Sequence, residues 1–315
     1  MSVLTTIDAS RLESPPDPSI AEALETNHIV FFPDCPIRLP DAATLEYLRT
    51  ELPLRLKLKN ISYHPEAGRV TGLDADPNTT ARITSILKDH LADVSGFLRR
   101  HVGHLTTDWT IGTCSLRPIQ ERGRNLKPHA SNELVHLDAG AYGATDGDRI
   151  LRFFVNFNDH EDRVWATKGP VQDIVSRFGY EAGLLDAEGR LAIRLTKAAP
   201  DKAFTGIVRG LSRLNPLARV LDSSPYDRAM RKLHNFMKDA PLFRVDQRGY
   251  EEIRFPPYSA WMVFTDSVSH ASLSGQFALV TTIIVRREHM KYPEYAPFNV
   301  LSGLNDRTPH KSLTS

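Results

Sequence analysis

Five short runs dense in β-branched and aromatic residues, at 109–116, 133–138, 150–157, 259–265 and 277–285, limit the folds open to this chain more than any other feature. Clusters of Gly, Pro and Asp separate them, so they read as strands of one β-rich unit. The series is interrupted once. Residues 170–240 are helical in texture, with candidate helices at 202–214 and 227–238, and strand-forming sequence resumes near Leu242. The simplest organisation is a single domain over 1–315 of α+β class with a mostly β core. That core spans 105–290 and carries the helical insert at about 170–240, between a helical flank at 1–104 and a tail at 291–315 that is polar and loose from 306.

In the flank, 19–26 reads as a helix, 28–32 as a strand closed by Pro33, and 41–52 as a helix with Leu45, Tyr47 and Leu48 at helical spacing. The longest helix is expected at 79–102. Its Ile83, Ile86, Leu87, Leu91, Val94 and Leu98 recur every three or four residues, which marks one face for packing.

A chain of 315 residues with 41% hydrophobic side chains has ample material for a core. Its 39 basic and 38 acidic residues leave a net charge of +1, which excludes a global field for nucleic acid and makes any anion recognition local. Cys35 and Cys114, the two cysteines, are too few for a disulfide scaffold or a thiolate metal cage and suit a reducing compartment. The N-terminus lacks a basic start and an apolar core, and no apolar run is long enough to span a bilayer. A cytoplasmic protein is expected.

The chemistry starts at 132–138, which ends in His136-Leu137-Asp138. In an extended chain side chains repeat every second residue, so the imidazole and the carboxylate share a face. Two imidazoles and one carboxylate on one triangular face is the donor set of mononuclear non-haem iron(II), so one ligand is still missing. A second His-x-Asp, His160 to Asp162, lies in a polar turn with no strand to aim it. His270, just past the apolar run at 259–265, is better placed. The other nine histidines, His234 among them, lie at helix ends, loops or tails and read as structural. An early His-x-Asp followed more than a hundred residues later by a strand-end His is the order used by iron(II)/2-oxoglutarate dioxygenases, whose double-stranded β-helix, a jelly roll, brings those strands together. Cupins and other jelly rolls also bind metals, usually through more histidines than this chain offers on its strands.

Several motifs in one order are more specific: ISYHP at 61–65, SLRP at 115–118 with Arg122 and Arg124, HLD at 136–138, RILR at 149–152 with Asn156, RVW at 163–165, and WMVFTDSVSHASLSG at 261–275. Together, over about 61–302, they resemble the Kdo hydroxylase family. Those enzymes are iron(II)/2-oxoglutarate/ascorbate-dependent dioxygenases that hydroxylate C3 of 3-deoxy-D-manno-oct-2-ulosonic acid (Kdo) on Kdo-lipid A during lipopolysaccharide assembly. The resemblance implies that His136, Asp138 and His270 hold Fe(2+), with O2 and 2-oxoglutarate as co-substrates. It also implies a cation for the far carboxylate of 2-oxoglutarate. Arg152, on one strand face with Asn156, or Arg163 would supply it. Arg117 and Trp165 would meet the sugar, beside whichever of Arg152 and Arg163 the co-substrate leaves. The Gly- and Ala-rich stretch at 139–145 departs from the family pattern and would border the metal.

The insert carries eight Lys or Arg between 202 and 238 against Asp222 and Asp227, interleaved with apolar residues including Phe236. This is either an amphipathic face for anionic lipid, placing the enzyme peripherally on the inner face of the inner membrane, or a solvated basic face. Besides Kdo hydroxylation, two readings stay open: the same chemistry on another sugar acid or small acid, and a non-catalytic jelly-roll binding module.

Overall fold

Alternation along the strands decides the architecture. On β6 (Arg149–Asn156), Leu151, Phe153 and Val155 enter one core while Arg152 and Phe154 point the other way. The computed structural model describes residues 2–12, 16–140, 145–197 and 224–305. β6 belongs to an eight-stranded sheet with β1 (Leu4–Thr6), β2 (Ile29–Phe32), β3 (Ile61–His64), β4 (Arg69–Thr71), β5 (Thr110–Arg117), β9 (Ala260–Phe264) and β11 (Ala278–Val285), in the order β1-β2-β9-β6-β11-β5-β3-β4. A three-stranded sheet, ordered β10-β7-β8, is built from β7 (Arg163–Thr167), β8 (Glu251–Phe255) and β10 (Ala271–Ser274). Only β1 and β2 pair in parallel.

One face of the large sheet packs on α1 (Pro18–Glu25), α2 (Ala42–Thr50) and α3 (Pro77–His101). α3 is started by Asp76, whose carboxylate accepts from Asn78 N at 2.9 Å and Thr79 N at 3.0 Å, with Pro77 in the first turn. Arg99, Arg100 and His101 favour its C-terminal end. Ile83, Leu87, Leu91, Val94 and Leu98 are all buried in the core, as the spacing predicts. Each fully buried side chain stabilises by about 1.5–3 kcal/mol.

The opposite face meets the small sheet. Phe154 stacks on Trp261 at 5.0 Å and meets Trp165 edge-on at 4.9 Å, and Phe255 stacks on Trp261 at 3.9 Å. These aromatics fix the sheets face to face and leave room at one end for polar side chains.

Three expectations need correction. The flank at 1–104 is more than helical, since β1–β4 extend both edges of the large sheet. Residues 133–138 form no regular strand; their one β-bridge joins His136 to His270. Strand structure resumes at β8; Leu242 lies in the short α6 (Pro241–Val245), preceded by α5 (Pro225–Asp239).

α5 and α4 (Val171–Phe178) build a second core with α7 (Pro297–Ser302), which lies within the segment expected to be tail. Ala229, Met230, Leu233 and Met237 bury one face of α5, and Ser224 and Asp227 close a capping box at its start. The expected helix at 202–214 lies outside the described residues. Two members of the expected basic face turn inward. Lys238 is buried and donates to Ser131 O at 2.9 Å and His129 O at 3.2 Å, and Phe236 packs on Phe178 and Phe243. No described helix is long and apolar enough to cross a membrane.

Candidate active site

His136 and His270 are tied through their backbones. His136 N donates to His270 O at 3.0 Å and His270 N returns to His136 O at 2.9 Å. Two residues on, Asp138 N donates to Thr265 O at 2.8 Å. Leu137 between them is fully buried in the second core, so His136 and Asp138 both face the opposite way, into the space between the sheets. One donor atom from each of His136, Asp138 and His270 lies within 4.8 Å of the others.

The hydrogen bonds decide which imidazole nitrogen is available. His136 Nδ1 lies 2.7 Å from Leu134 O and His270 Nδ1 lies 3.1 Å from Val268 O. A carbonyl only accepts, so each Nδ1 carries the proton and each Nε2 keeps its lone pair for a metal. Burial, and then the neighbouring His270, hold His136 well below the ordinary imidazole range; burial pushes His270 down to about 4. Both rings are therefore neutral, as metal ligands must be. Burial alone would raise Asp138, but the Arg152 guanidinium beside it outweighs that and holds the carboxyl well below its usual range. Arg152 stands 2.9 Å from Asp138 Oδ2, yet its alignment makes no hydrogen bond and leaves that buried oxygen unsatisfied. Two neutral imidazoles and an ionised, under-satisfied carboxylate fit an iron(II) ion.

The triad lies in the wall of a cavity of about 260 Å³. Thr113, Ser115 and Arg117 reach it from β5, Arg152 and Phe154 from β6, Thr282 from β11, Trp165 from β7 and Ser272 from β10. Ser62 on β3 adds a hydroxyl 2.8 Å from that of Ser115. The Arg117 side chain makes no ion pair or hydrogen bond with any described residue, and its Nε is buried without a partner. Burial, with Arg152 and Arg163 near, pushes its guanidinium down to about 10. Trp165 stacks on His270 with centroids 5.1 Å apart, and its Nε1–H is buried without an acceptor.

The profile of the 3-deoxy-D-manno-oct-2-ulosonic acid (Kdo) hydroxylase family matches residues 8–308. The chain belongs to the Kdo hydroxylase family. Its fold is similar to the solved Kdo hydroxylase KdoO, a non-haem Fe(II) α-ketoglutarate-dependent dioxygenase. The KdoO complex with α-ketoglutarate and Fe(III) superposes with a TM-score of 0.78 at 25% identity over 99% of both chains. The cobalt(II) complex superposes with a TM-score of 0.79 at 26% identity, over 100% of this chain and 99% of that one. No functionally curated protein matches the sequence.

Within this Kdo hydroxylase, the structure brings together His136, Asp138, His270, Arg117, Arg152 and Trp165. Two expected site residues stand elsewhere. Arg163 is fully buried outside the cavity wall, where Glu121 takes its charge at 3.2 Å and Gly275 O lies at 3.4 Å. Its charge is already paired with Glu121, although Nε stays unpartnered, and it stands outside the cavity wall. Asn156 spans the turn after β6, donating to Glu161 O and Phe255 O at 3.0 Å each and accepting from Asn158 N at 3.1 Å. Its side chain is fully used there. His160 is exposed and bonded to Asp159 at 2.5 Å, in the polar turn that was expected.

Sequence reasoning passed over the hydroxyls of β3, β5 and β11, and it set His234 aside. On α5, His234 Nδ1 donates to Leu137 O at 2.6 Å and its ring lies 5.1 Å from that of His136. The polar alternation Thr113, Ser115, Arg117 was a legible signal for the first group. Nothing local marks His234, because its partner is 97 residues away.

Proposed function

We propose that this chain is an iron(II)/2-oxoglutarate-dependent dioxygenase that hydroxylates C3 of a Kdo sugar on Kdo-lipid A in lipopolysaccharide biosynthesis. The observation that carries it is the pairing of the His136, Asp138 and His270 donor set with a cavity cation, Arg117, that makes no ion pair with a described carboxylate. The two sheets are read as a double-stranded β-helix, with His136 and His270 bridging its open end.

His136 and His270 offer Nε2 lone pairs, and Asp138 offers Oδ1 while Arg152 steadies Oδ2. Iron bound there, with 2-oxoglutarate and O2, supplies the oxidation that replaces C–H by C–OH while 2-oxoglutarate becomes succinate and carbon dioxide. Arg117 receives a carboxylate, of the co-substrate or of the ulosonic acid, by a charge-assisted hydrogen bond. Trp165 Nε1–H and the hydroxyls of Ser62, Ser115, Thr113 and Thr282 are matched to a polyhydroxylated ligand. Phe154 and the Trp165 ring shield the site from water.

Anaerobic titration with iron(II) and 2-oxoglutarate tests the chelate through its weak visible charge-transfer band. Aerobic incubation with Kdo-lipid A tests the product by mass spectrometry. One added oxygen on Kdo is expected. A chelate band without that product points to another acid substrate, and no band at all defeats the reading.

A further inference from the structure

We propose that the loop at 54–59, LRLKLK, is a membrane-docking element that seats the cavity mouth on an anionic bilayer surface. Leu54 is 86% exposed and Leu58 60%, while Leu56 between them turns in against the main core. The display is built by the backbone. Leu56 bridges Leu73, Gly72 O accepts from Lys57 N at 3.0 Å and Leu58 N at 3.3 Å, and Asp74 N donates to Arg55 O at 2.9 Å. Gly72 makes the seat possible. It stands at φ +85°, and a Cβ there would lie 1.9 Å from Asn60 O. Two leucines are thus held outward on a fixed loop, whereas most of the other described leucines are buried.

The alternate positions are cationic. Arg55 has a carboxylate partner, Asp76 at 3.8 Å, whereas Lys57 makes no ion pair with any described residue. Lys59 and Asn60 already line the cavity, so the loop runs directly into its rim. The charges acting on Lys59 are Arg117, Arg124 and Arg152 against Glu121, a net positive field at the mouth. Exposed leucines interleaved with cations beside a cavity match the headgroup zone of an anionic leaflet: the leucines reach the acyl boundary and the cations stay with phosphate. A polar soluble ligand needs the cations but not the leucines. In the described part of the insert, Lys238 and Phe236 are turned inward.

Docking is independent of turnover; only its purpose rests on the proposed glycolipid substrate. The test is co-sedimentation of the full chain, without iron or 2-oxoglutarate, with phosphatidylcholine vesicles containing or lacking phosphatidylglycerol. Expected are binding that needs the anionic lipid, weakens with salt, and falls about tenfold or more in Leu54→Asp/Leu58→Asp. In Leu58→Trp, the added fluorescence should shift to the blue on those vesicles. With delipidated Kdo saccharide the double-aspartate variant should keep wild-type turnover, because neither leucine lines the cavity. The proposal is overturned by wild-type failure to bind, by loss of binding in Arg228→Glu/Arg231→Glu but not in the leucine variant, or by a leucine variant that turns a dimer into a monomer.

Discussion

Arg117→Met should weaken ligand binding and stabilise the empty protein. Arg117 sits in the cavity wall with its Nε shut off from water and unpartnered, and its nearest charged neighbours include Arg152 and Arg163. Glu121 and Asp138 oppose those charges without forming an ion pair with Arg117, so burying this cation is a cost of folding, and methionine keeps the stem's packing while removing the charge. Against that relief stands a loose contact with the Phe154 ring at 5.8 Å, worth about 0.5 kcal/mol. A net gain of about 1 kcal/mol corresponds to a Tm rise of roughly 1–2 °C in a ligand-free chain of 315 residues. A charge-assisted hydrogen bond to a carboxylate contributes about 1.5–3 kcal/mol, so its loss should raise one KM by roughly 10- to 150-fold. Steady-state assays varying 2-oxoglutarate and the Kdo saccharide in turn show which KM moves, and so which anion Arg117 holds. If neither moves, or if Tm falls by several degrees, Arg117 is a structural cation and the anion-receptor argument is wrong.

Iron(II) at a hundredfold excess over its Kd should stabilise the wild type by about 2.7 kcal/mol, read as a Tm shift under anaerobic conditions. His136→Ala and Asp138→Ala should lose that shift together with 2-oxoglutarate turnover. Glu121→Leu should lower stability by about 3–5 kcal/mol in urea unfolding, because it strands the fully buried Arg163 and removes partners from Arg124 and Asn132. His90 is buried with both ring nitrogens unpartnered, and burial pushes it from 6.5 down to about 4. Only the unfolded chain then takes up its proton between those values, so stability is complete above pH 6.5 and lost as pH falls towards 4. His90→Leu should shrink the stability gap between pH 7.5 and pH 5 by about 2 kcal/mol, and an unchanged gap would show that His90 is protonated in the folded protein.

The elements that could be read from sequence are those whose burial has a single period. α3 shows its one face every three or four residues, and β5, β6, β9 and β11 show theirs as β-branched and aromatic runs. The convergence of His136, Asp138 and His270, the proposed metal ligands, was legible for a different reason, since a His-x-Asp and a late His are chemically conspicuous whatever the backbone does. Arg163 and Asn156 were misplaced because sequence shows a cation and an amide but not their partners. Glu121, which takes the charge of Arg163, lies 42 residues away in an irregular loop. The hydroxyl wall was overlooked although its pattern was present. Cys114 and Leu116 enter the helix-side core while Thr113, Ser115 and Arg117 face the cavity, a period of two hidden because both faces of the strand are enclosed.

The failure of 133–138 to form a strand bears on how the site is kept rigid. A regular strand would hold His136 and Asp138 by a ladder on both sides; here the sheet side supplies the reciprocal pair with His270 and the bond to Thr265 O. The opposite side is supplied by the insert. Leu137 is buried among α4 and α5 residues, His234 Nδ1 takes up the Leu137 carbonyl, and Lys238 caps the Ser131 carbonyl at the start of the segment. Asp227 at the start of α5 also accepts from Thr145 N at 2.9 Å and Thr145 Oγ1 at 2.8 Å, fixing the return of the chain after the ligands. An insert that only decorated the domain could be trimmed without consequence. This one completes the hydrogen bonding and burial of residues 133–138, so the turn that carries both proposed ligands depends on a helix nearly a hundred residues downstream, and perturbing α5 should act on the proposed metal site through Leu137 rather than through the cavity.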